Sequence, residues 1–477
     1  MNKNSELYPI SRNEKEDISI DRSLVEIRNE EVSITILNII GNCFINNLVF
    51  ITSNFVSTIN LILIGHILIE DKTHFELFMT YEIGVTIINF FGKVIIMGLL
   101  RFIFEIKEHR KIYFSYLRLK TGLVLIIPII MIPVSLSSYL IIKLLLQNNL
   151  DIYNQSLNKE VYFKFMIFTP IIYFFEILFY LNLKLLRAFD KIKAVISYIN
   201  IFVISHIVFC WILLFILKIG ILGLTISYCL NSFLFYMLTN KYINSIKEEE
   251  IENFFILPPK DYFDKNVINI LKEASSLSMR YLSDVFLLYF LFISTLFTDK
   301  KQLIVNSVYL NFYFFFNGIN KGFYLTLRDY LIHSKESNEE KKKYIIIFSI
   351  TFLTILLSIF IMLIIYRNIL MDIYLIKGGD HNLQIISNRI HIIYSLCILF
   401  NGNQILLYGF NRGMAASSPI VIKYIKSFIC FFLCLILCFI YNKGILGLWI
   451  AVLIFCIFYF FENGYKSIIH FNNFFFV

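Results

Sequence analysis

The chain has 477 residues, of which 58% are apolar and only 16% charged, and its mean hydropathy is +0.72. A soluble protein of this length is nearer half apolar and a quarter charged, whereas several runs here reach the roughly 20 apolar residues that cross a bilayer as a helix. The net charge of +9 is therefore carried by the loops of a polytopic membrane protein, which excludes a cytosolic enzyme, a nucleic-acid binder and a secreted disulfide scaffold.

Residues 1–33 are polar and lack an apolar h-region, so they read as a cytosolic tail rather than a signal peptide. Twelve apolar helical segments follow, at roughly 34–66, 78–104, 119–147, 161–186, 194–217, 220–240, 268–298, 302–326, 344–366, 385–410, 417–441 and 444–470. Lys and Arg are retained on the cytoplasmic side of membrane proteins, and they alternate here. The second connection counts Arg101, Lys107, Arg110, Lys111, Arg118 and Lys120. The fourth counts Lys184, Arg187, Lys191 and Lys193, and the eighth Lys321, Arg328, Lys335 and Lys341 to Lys343. The odd connections hold one to three each. Twelve spans with both termini in the cytosol produce this pattern.

The sixth connection carries a charge run and Pro258-Pro259, which stops helices. It divides the chain into a six-helix bundle at 34–246, a cytosolic linker at 247–266 and a second six-helix bundle at 267–477. The halves partly repeat. LLRAFDK (185–191) corresponds to LLYGFNR (406–412), 221 residues on, and GILGL at 220–224 recurs at 444–448, 224 residues on. Spans 4–6 thus match spans 10–12. An even offset keeps orientation, so the halves are parallel repeats about an axis normal to the membrane. The fold class is all-α, and this architecture suits alternating access.

Charges inside a bilayer cost about 3 kcal/mol each on insertion scales, so each needs a partner or a function. Asp284 in span 7 is suited to carrying a proton, or to pairing with Arg280 one turn away. Glu176 in the middle of span 4 is either a cavity carboxylate for a cationic substrate or an acid bonded to a neighbouring helix. Glu82 and Lys93 share a face of span 2. Lys423 and Lys426 near the start of span 11 snorkel or line the cavity. Glu462 and Lys466 are placed to pair, and His206 in span 5 either titrates near neutral pH or is a hydrogen-bonded structural residue. The eight cysteines form no metal-spaced group; Cys430, Cys434 and Cys438 make a packing stripe on one face. No phosphate loop, zinc motif or nucleophile elbow occurs, and no soluble stretch is long enough for an ATPase domain. The sequence thus gives no sign of an enzyme, a resident cofactor or a metal, and any transport would have to draw its energy from an ion gradient rather than from ATP hydrolysed on this chain.

Several stretches resemble the multidrug and toxic compound extrusion (MATE) transporters of the eukaryotic kind. They are FVSTINLILIGH (55–66), MGLLRFIFEIKEHRKIYFSYLRLKTGLV (97–124), LLRAFDKIKAVISYINIFVISHI (185–207), QILLYGFNRGMAASSP (404–419) and NKGILGLWIAVLI (442–454). Gly409, Arg412 and Gly413 match the family's G-x-x-R-G turn, and Gly444, Gly447, Leu448 and Trp449 its G-x-x-G-L-W start of span 12. Two departures stand out. Asn60 takes the place of the acid that many bacterial members carry in span 1, and span 7 offers Ser283 or Asp284 where eukaryotic members have Glu. The resemblance implies export of organic cations or amphipathic solutes in exchange for protons or sodium. Asp284 is then the ion-coupling residue, and Glu176, Lys93 and Asn60 lie on the substrate side. It implies a monomeric, multi-pass multidrug antiporter in a plasma, vacuolar or vesicle membrane. The alternatives are a lipid-linked-sugar flippase of the same superfamily and a diverged relative that no longer transports.

Overall fold

The computed structural model describes residues 109–145, 156–189, 191–246, 300–333, 337–367, 369–374, 381–414 and 420–475, with scattered positions in 40–63 and 265–275. The tail 1–33, span 2 with Glu82 and Lys93, Asp284, and all of the linker 247–266 except Lys265 lie outside the described residues. Among the described residues there is no strand. The helices are α1 (His109–Leu145), α2 (Ser156–Ala188), α3 (Ile192–Trp211), α4 (Ile221–Ile246), α5 (Lys300–His333), α6 (Asn338–Ile365), α7 (Ile369–Tyr374), α8 (His381–Gly413), α9 (Ile420–Leu435) and α10 (Ile445–Phe475). All but the short α7 fall where spans 3–6 and 8–12 are predicted. The described positions of 40–63 and 265–275 are helical, within or beside spans 1 and 7.

Eight of these helices, counting among the described residues, are long and apolar enough to cross a membrane. α5 falls below that hydropathy although its 34 residues extend about 51 Å. The reason is its position: α5 packs against α6, α7, α8 and α10, and Asn306, Asn317 and Asn320 are buried. Side chains that face protein rather than lipid need not be apolar. Elsewhere lipid-facing stripes stay apolar, with Ile204, Trp211, Ile429, Phe432 and Ile468 all exposed.

The helix ends are set by local chemistry. α6 starts six residues before its predicted apolar run because Ser337 and Glu340 form a reciprocal capping box, so NEEKKK becomes the helix's first turns. α1 starts ten residues before the predicted 119. Arg110, Lys111, Arg118 and Lys120, counted with the second connection by the charge pattern, therefore stand on the first turns of a helix.

The repeat predicted from GILGL extends to backbone geometry. α3 continues into a π turn at Ile212–Ile216 and α9 into a π turn at Ile436–Ile440, again 224 residues apart. Each turn closes with the same hydrogen bonds, Leu217 N to Ile212 O and Ile219 N to Leu213 O in one, Tyr441 N to Ile436 O and Lys443 N to Leu437 O in the other. Each is followed by two left-handed residues, Lys218 (φ 51°) and Gly220 (φ 71°) against Asn442 (φ 51°) and Gly444 (φ 53°). A Cβ on Gly223 would lie 3.1 Å from Leu213 Cβ, and one on Gly447 2.7 Å from the Leu437 carbonyl carbon. The second glycine of each GILGL thus lets the following helix close onto the turn.

Within each set the packing follows the chain. α2 touches α1, α3 and α4, while α8 touches α5, α6 and α10, and α9 touches α10. Opposite ends of the C-terminal set are marked by contacts between helices. Gln302 Oε1 at the start of α5 accepts from Ile445 N at the start of α10, 3.0 Å away. At the other end, Lys342 near the start of α6 lies over the ring of Phe471 near the end of α10.

Candidate functional site

The N-terminal set encloses a string of polar side chains. Glu176 on α2 is fully buried and accepts a hydrogen bond from the Tyr228 hydroxyl on α4. The Tyr228 ring lies 5.4 Å from that of His206 on α3. Nε2 of His206 is 2.8 Å from Asn60 Oδ1, so with the amide oxygen accepting, Nε2 carries the proton. Around the imidazole, the Cys210 thiol donates to Ser227 Oγ at 3.3 Å, and Ser227 Oγ lies 3.3 Å from His206 Nδ1. One turn along, Ser205 Oγ donates to Asn231 Oδ1 (2.6 Å), and Asn231 Nδ2 to the Phe202 carbonyl (2.9 Å). An acid and an imidazole therefore sit one aromatic ring apart, each held by groups from another helix.

A second buried group brackets α1, α2 and α4. Tyr116 donates to Asn182 Oδ1 at 2.6 Å, and Asn182 Nδ2 to Thr239 Oγ1 at 3.0 Å. Lys120, only 1% exposed, donates to Asn240 Oδ1 at 2.6 Å and lies over the rings of Tyr116 and Tyr236. The charge pattern counts this cation with the second connection, although it stands inside predicted span 3, because its partners on α4 are more than 100 residues away in the chain.

The C-terminal set repeats the frame with different chemistry. The positions that follow Glu176, His206 and Ser232 at the repeat offsets are Cys397, Cys430 and Cys456, all buried thiols. Cys397 and Cys430 donate to the carbonyls of Trp449 and Ala451. This set has its own buried histidine, not singled out in the sequence: His391 Nδ1 is 3.0 Å from the Tyr309 hydroxyl, and Nε2 is 2.6 Å from the Leu363 carbonyl. Among the described residues no group of three or more His, Cys, Asp or Glu is placed to hold a metal ion.

The chain is similar to the eukaryotic MATE transporter AtDTX14, at 14% identity and TM-score 0.66 over 91% of this chain and 96% of that one. It is similar to a MOP superfamily transporter from Pyrococcus furiosus at 10% identity and TM-score 0.63, over 91% and 96%. The lipid II flippase MurJ, in an inward closed conformation, matches at 17% identity and TM-score 0.62, over 88% and 86%. The chain has the MATE fold. No protein-family model and no curated sequence matches it.

Within the MATE fold, the motif residues of the C-terminal half serve packing. A Cβ on Gly409 would stand 3.1 Å from the Tyr324 carbonyl oxygen, and one on Gly413 2.6 Å from Leu331 Cδ1, so both glycines let α8 lie close on α5. Arg412 Nη1 donates to the Tyr324 hydroxyl at 3.2 Å. Trp449 is buried, and its Nε1 donates to Asn306 Oδ1 at 3.0 Å. Of the residues assigned to the substrate side, Asn60 and Glu176 fall in one polar string of the MATE fold's N-terminal half. Lys93 and Asp284, the latter expected from the resemblance to couple the ion, lie outside the described residues. Glu462 pairs with Lys466 at 2.7 Å and also with Lys426, a second partner that the spacing alone does not reveal.

Proposed function

We propose that this chain is a secondary active transporter of the MOP superfamily that exports organic cations or amphipathic solutes in exchange for protons by alternating access. The observation that carries the reading is the Glu176–Tyr228–His206–Asn60 string. It places ionisable groups in the middle of one half, where the other half has thiols. One carboxylate holds either a proton or an organic cation, which is the condition for exchanging them. Glu176 is the substrate-side acid, Asn60 a polar contact joined to it through His206, Lys93 a tuning charge, and Asp284 the ion-coupling carboxylate. Rocking of bundle 34–246 against bundle 267–477 exposes the site to each side in turn. The Lys and Arg distribution puts both termini in the cytosol, and the monomer acts in a plasma, vacuolar or vesicle membrane.

The test is uptake of a fluorescent organic cation into proteoliposomes under an imposed pH gradient, for the native chain, Asp284→Asn and Glu176→Gln. Gradient-driven uptake lost in both folded variants supports the assignment. Uptake that persists in Asp284→Asn removes that residue's role while leaving the transporter. A second reading, a lipid-linked-sugar flippase, is favoured by the cations Arg328, Arg412 and Lys423 around Tyr324 and Tyr408. No cation uptake by the native chain, with movement of a polyprenyl-phosphate lipid between leaflets, would select it. Neither activity would mark a relative that has lost transport.

A further inference from the structure

α5 presents two faces to two different partners. At about 100° per residue, Gln302, Asn306, Tyr309, Tyr313, Asn317 and Tyr324 share one face, and each of them meets α8 or α10. The opposite face meets span 1 of the other half. Thr58 Oγ1 donates to Asn311 Oδ1 at 2.8 Å, the rings of Phe55 and Phe315 lie 6.1 Å apart, and the Cys43 thiol is hydrogen-bonded to the Thr326 side chain. From Thr58 to Phe55 to Cys43 the steps are three and twelve residues, matched on α5 by four and eleven. The two helices therefore run antiparallel in contact for about 22 Å.

Span 1 is two-faced in the same way. Asn60, two residues past Thr58 and about 200° round the helix, turns into the N-terminal set and meets His206. The densest helix packing lies within each half, whereas this seam joins one half to the other. A second junction lies near the cytosolic ends of the predicted spans, where a Cβ on Gly122 of α1 would stand 2.8 Å from Leu271 Cδ2. Cys43 and Thr326 are also near those ends, while Thr58 and Asn311 stand toward the outer ends. Both ends of the seam are thus closed in this structure, by neutral contacts. A neutral hydrogen bond contributes little net free energy, so it can be broken and remade in every cycle.

We propose that Thr58–Asn311, backed by Phe55 and Phe315, is a latch that shuts the outer end of the seam between the halves. It opens in alternation with an inner latch made by Cys43–Thr326 and Gly122–Leu271. Rocking of one bundle against the other then pivots on whichever end stays shut. The inference rests on the alternating-access reading, but its test needs no cargo: a chain that passes it and fails cation uptake keeps the latch and loses the substrate.

The test is maleimide labelling of the full chain in detergent, followed thiol by thiol by peptide mass spectrometry. Native Cys43 reports on the inner end, and Ile62→Cys, one turn beyond Thr58 on the same face, reports on the outer end. Rates are read against Cys397, buried in the C-terminal set, which separates opening of the seam from unfolding. In the Ile62→Cys background, Thr58→Val removes the outer donor and is expected to raise labelling at position 62 about fivefold without raising it at Cys43. Thr326→Val is expected to do the reverse. Thr58→Ser keeps the hydroxyl and is expected to label like the parent. A rise at both positions in either valine variant overturns the proposal, because the seam would then loosen as one piece. No rise at position 62 in Thr58→Val also overturns it, as does a rise in Thr58→Ser, which would assign the effect to packing of the methyl group.

Discussion

The Tyr228 hydroxyl on α4 donates its hydrogen bond to the carboxylate of Glu176 on α2, at the centre of the N-terminal set. A buried acid held by a neutral donor leans on that donor. Tyr228→Phe removes it without changing the volume of the ring, and leaving a buried acceptor short of a donor costs about 1–3 kcal/mol. A fall of several degrees in the melting temperature of the detergent-solubilised chain is expected, and it should vanish in the Glu176→Leu background, where no acceptor is left. A drop of the same size in that background would mean that the ring and not the hydroxyl matters.

Gly223 and Gly447 occupy equivalent positions but have unequal room. A Cβ at 447 meets backbone atoms of Leu437 and Cys438 within 2.9 Å, whereas at 223 the nearest backbone atom is 3.4 Å away. Overpacking against backbone costs about 1–3 kcal/mol, so Gly447→Ala is expected to destabilise clearly more than Gly223→Ala. Melting curves of the two single variants, measured side by side, check the order. The reverse order would show that the halves relax differently from what their resting distances indicate.

Lys120 and Asn240 offer an asymmetric pair of deletions. Asn240→Leu takes an acceptor from a cation that stays buried, while Lys120→Met takes the cation itself and leaves an apolar chain between Tyr116 and Tyr236. Removing one partner of a buried polar pair costs more than replacing the charge with an apolar group of similar size. Asn240→Leu should therefore lose about 1–3 kcal/mol more than Lys120→Met in thermal unfolding.

The helices, their order and the repeat were legible in the sequence because each rests on a long-range pattern: runs of apolar residues, alternating charge and a copied GILGL. What escaped has a local cause. Lys120 is counted with the cations of the second connection although it stands at the edge of predicted span 3, and α1 has already made three turns by then. α5 keeps its asparagines because neighbouring helices, not lipid, surround them, and a hydropathy average does not register neighbours. The exchange of Glu176 and His206 for Cys397 and Cys430 follows from the repeat offsets, but that all four are buried needed the fold. Gly409, Gly413 and Gly447 were legible as motif, but the tyrosine and leucine that each glycine makes room for were not. Glu462 was matched with Lys466 by spacing, while Lys426, on another helix, needed the fold to bring it in.

A π turn is an α-helix with one residue too many, and each half of this chain carries that surplus residue at the same place, followed by the same pair of left-handed residues. One register, an offset of 224, therefore superposes the halves residue for residue from the π turn to the second glycine of GILGL, so an inserted or deleted residue anywhere in that stretch of one half would break a match that the other half still shows.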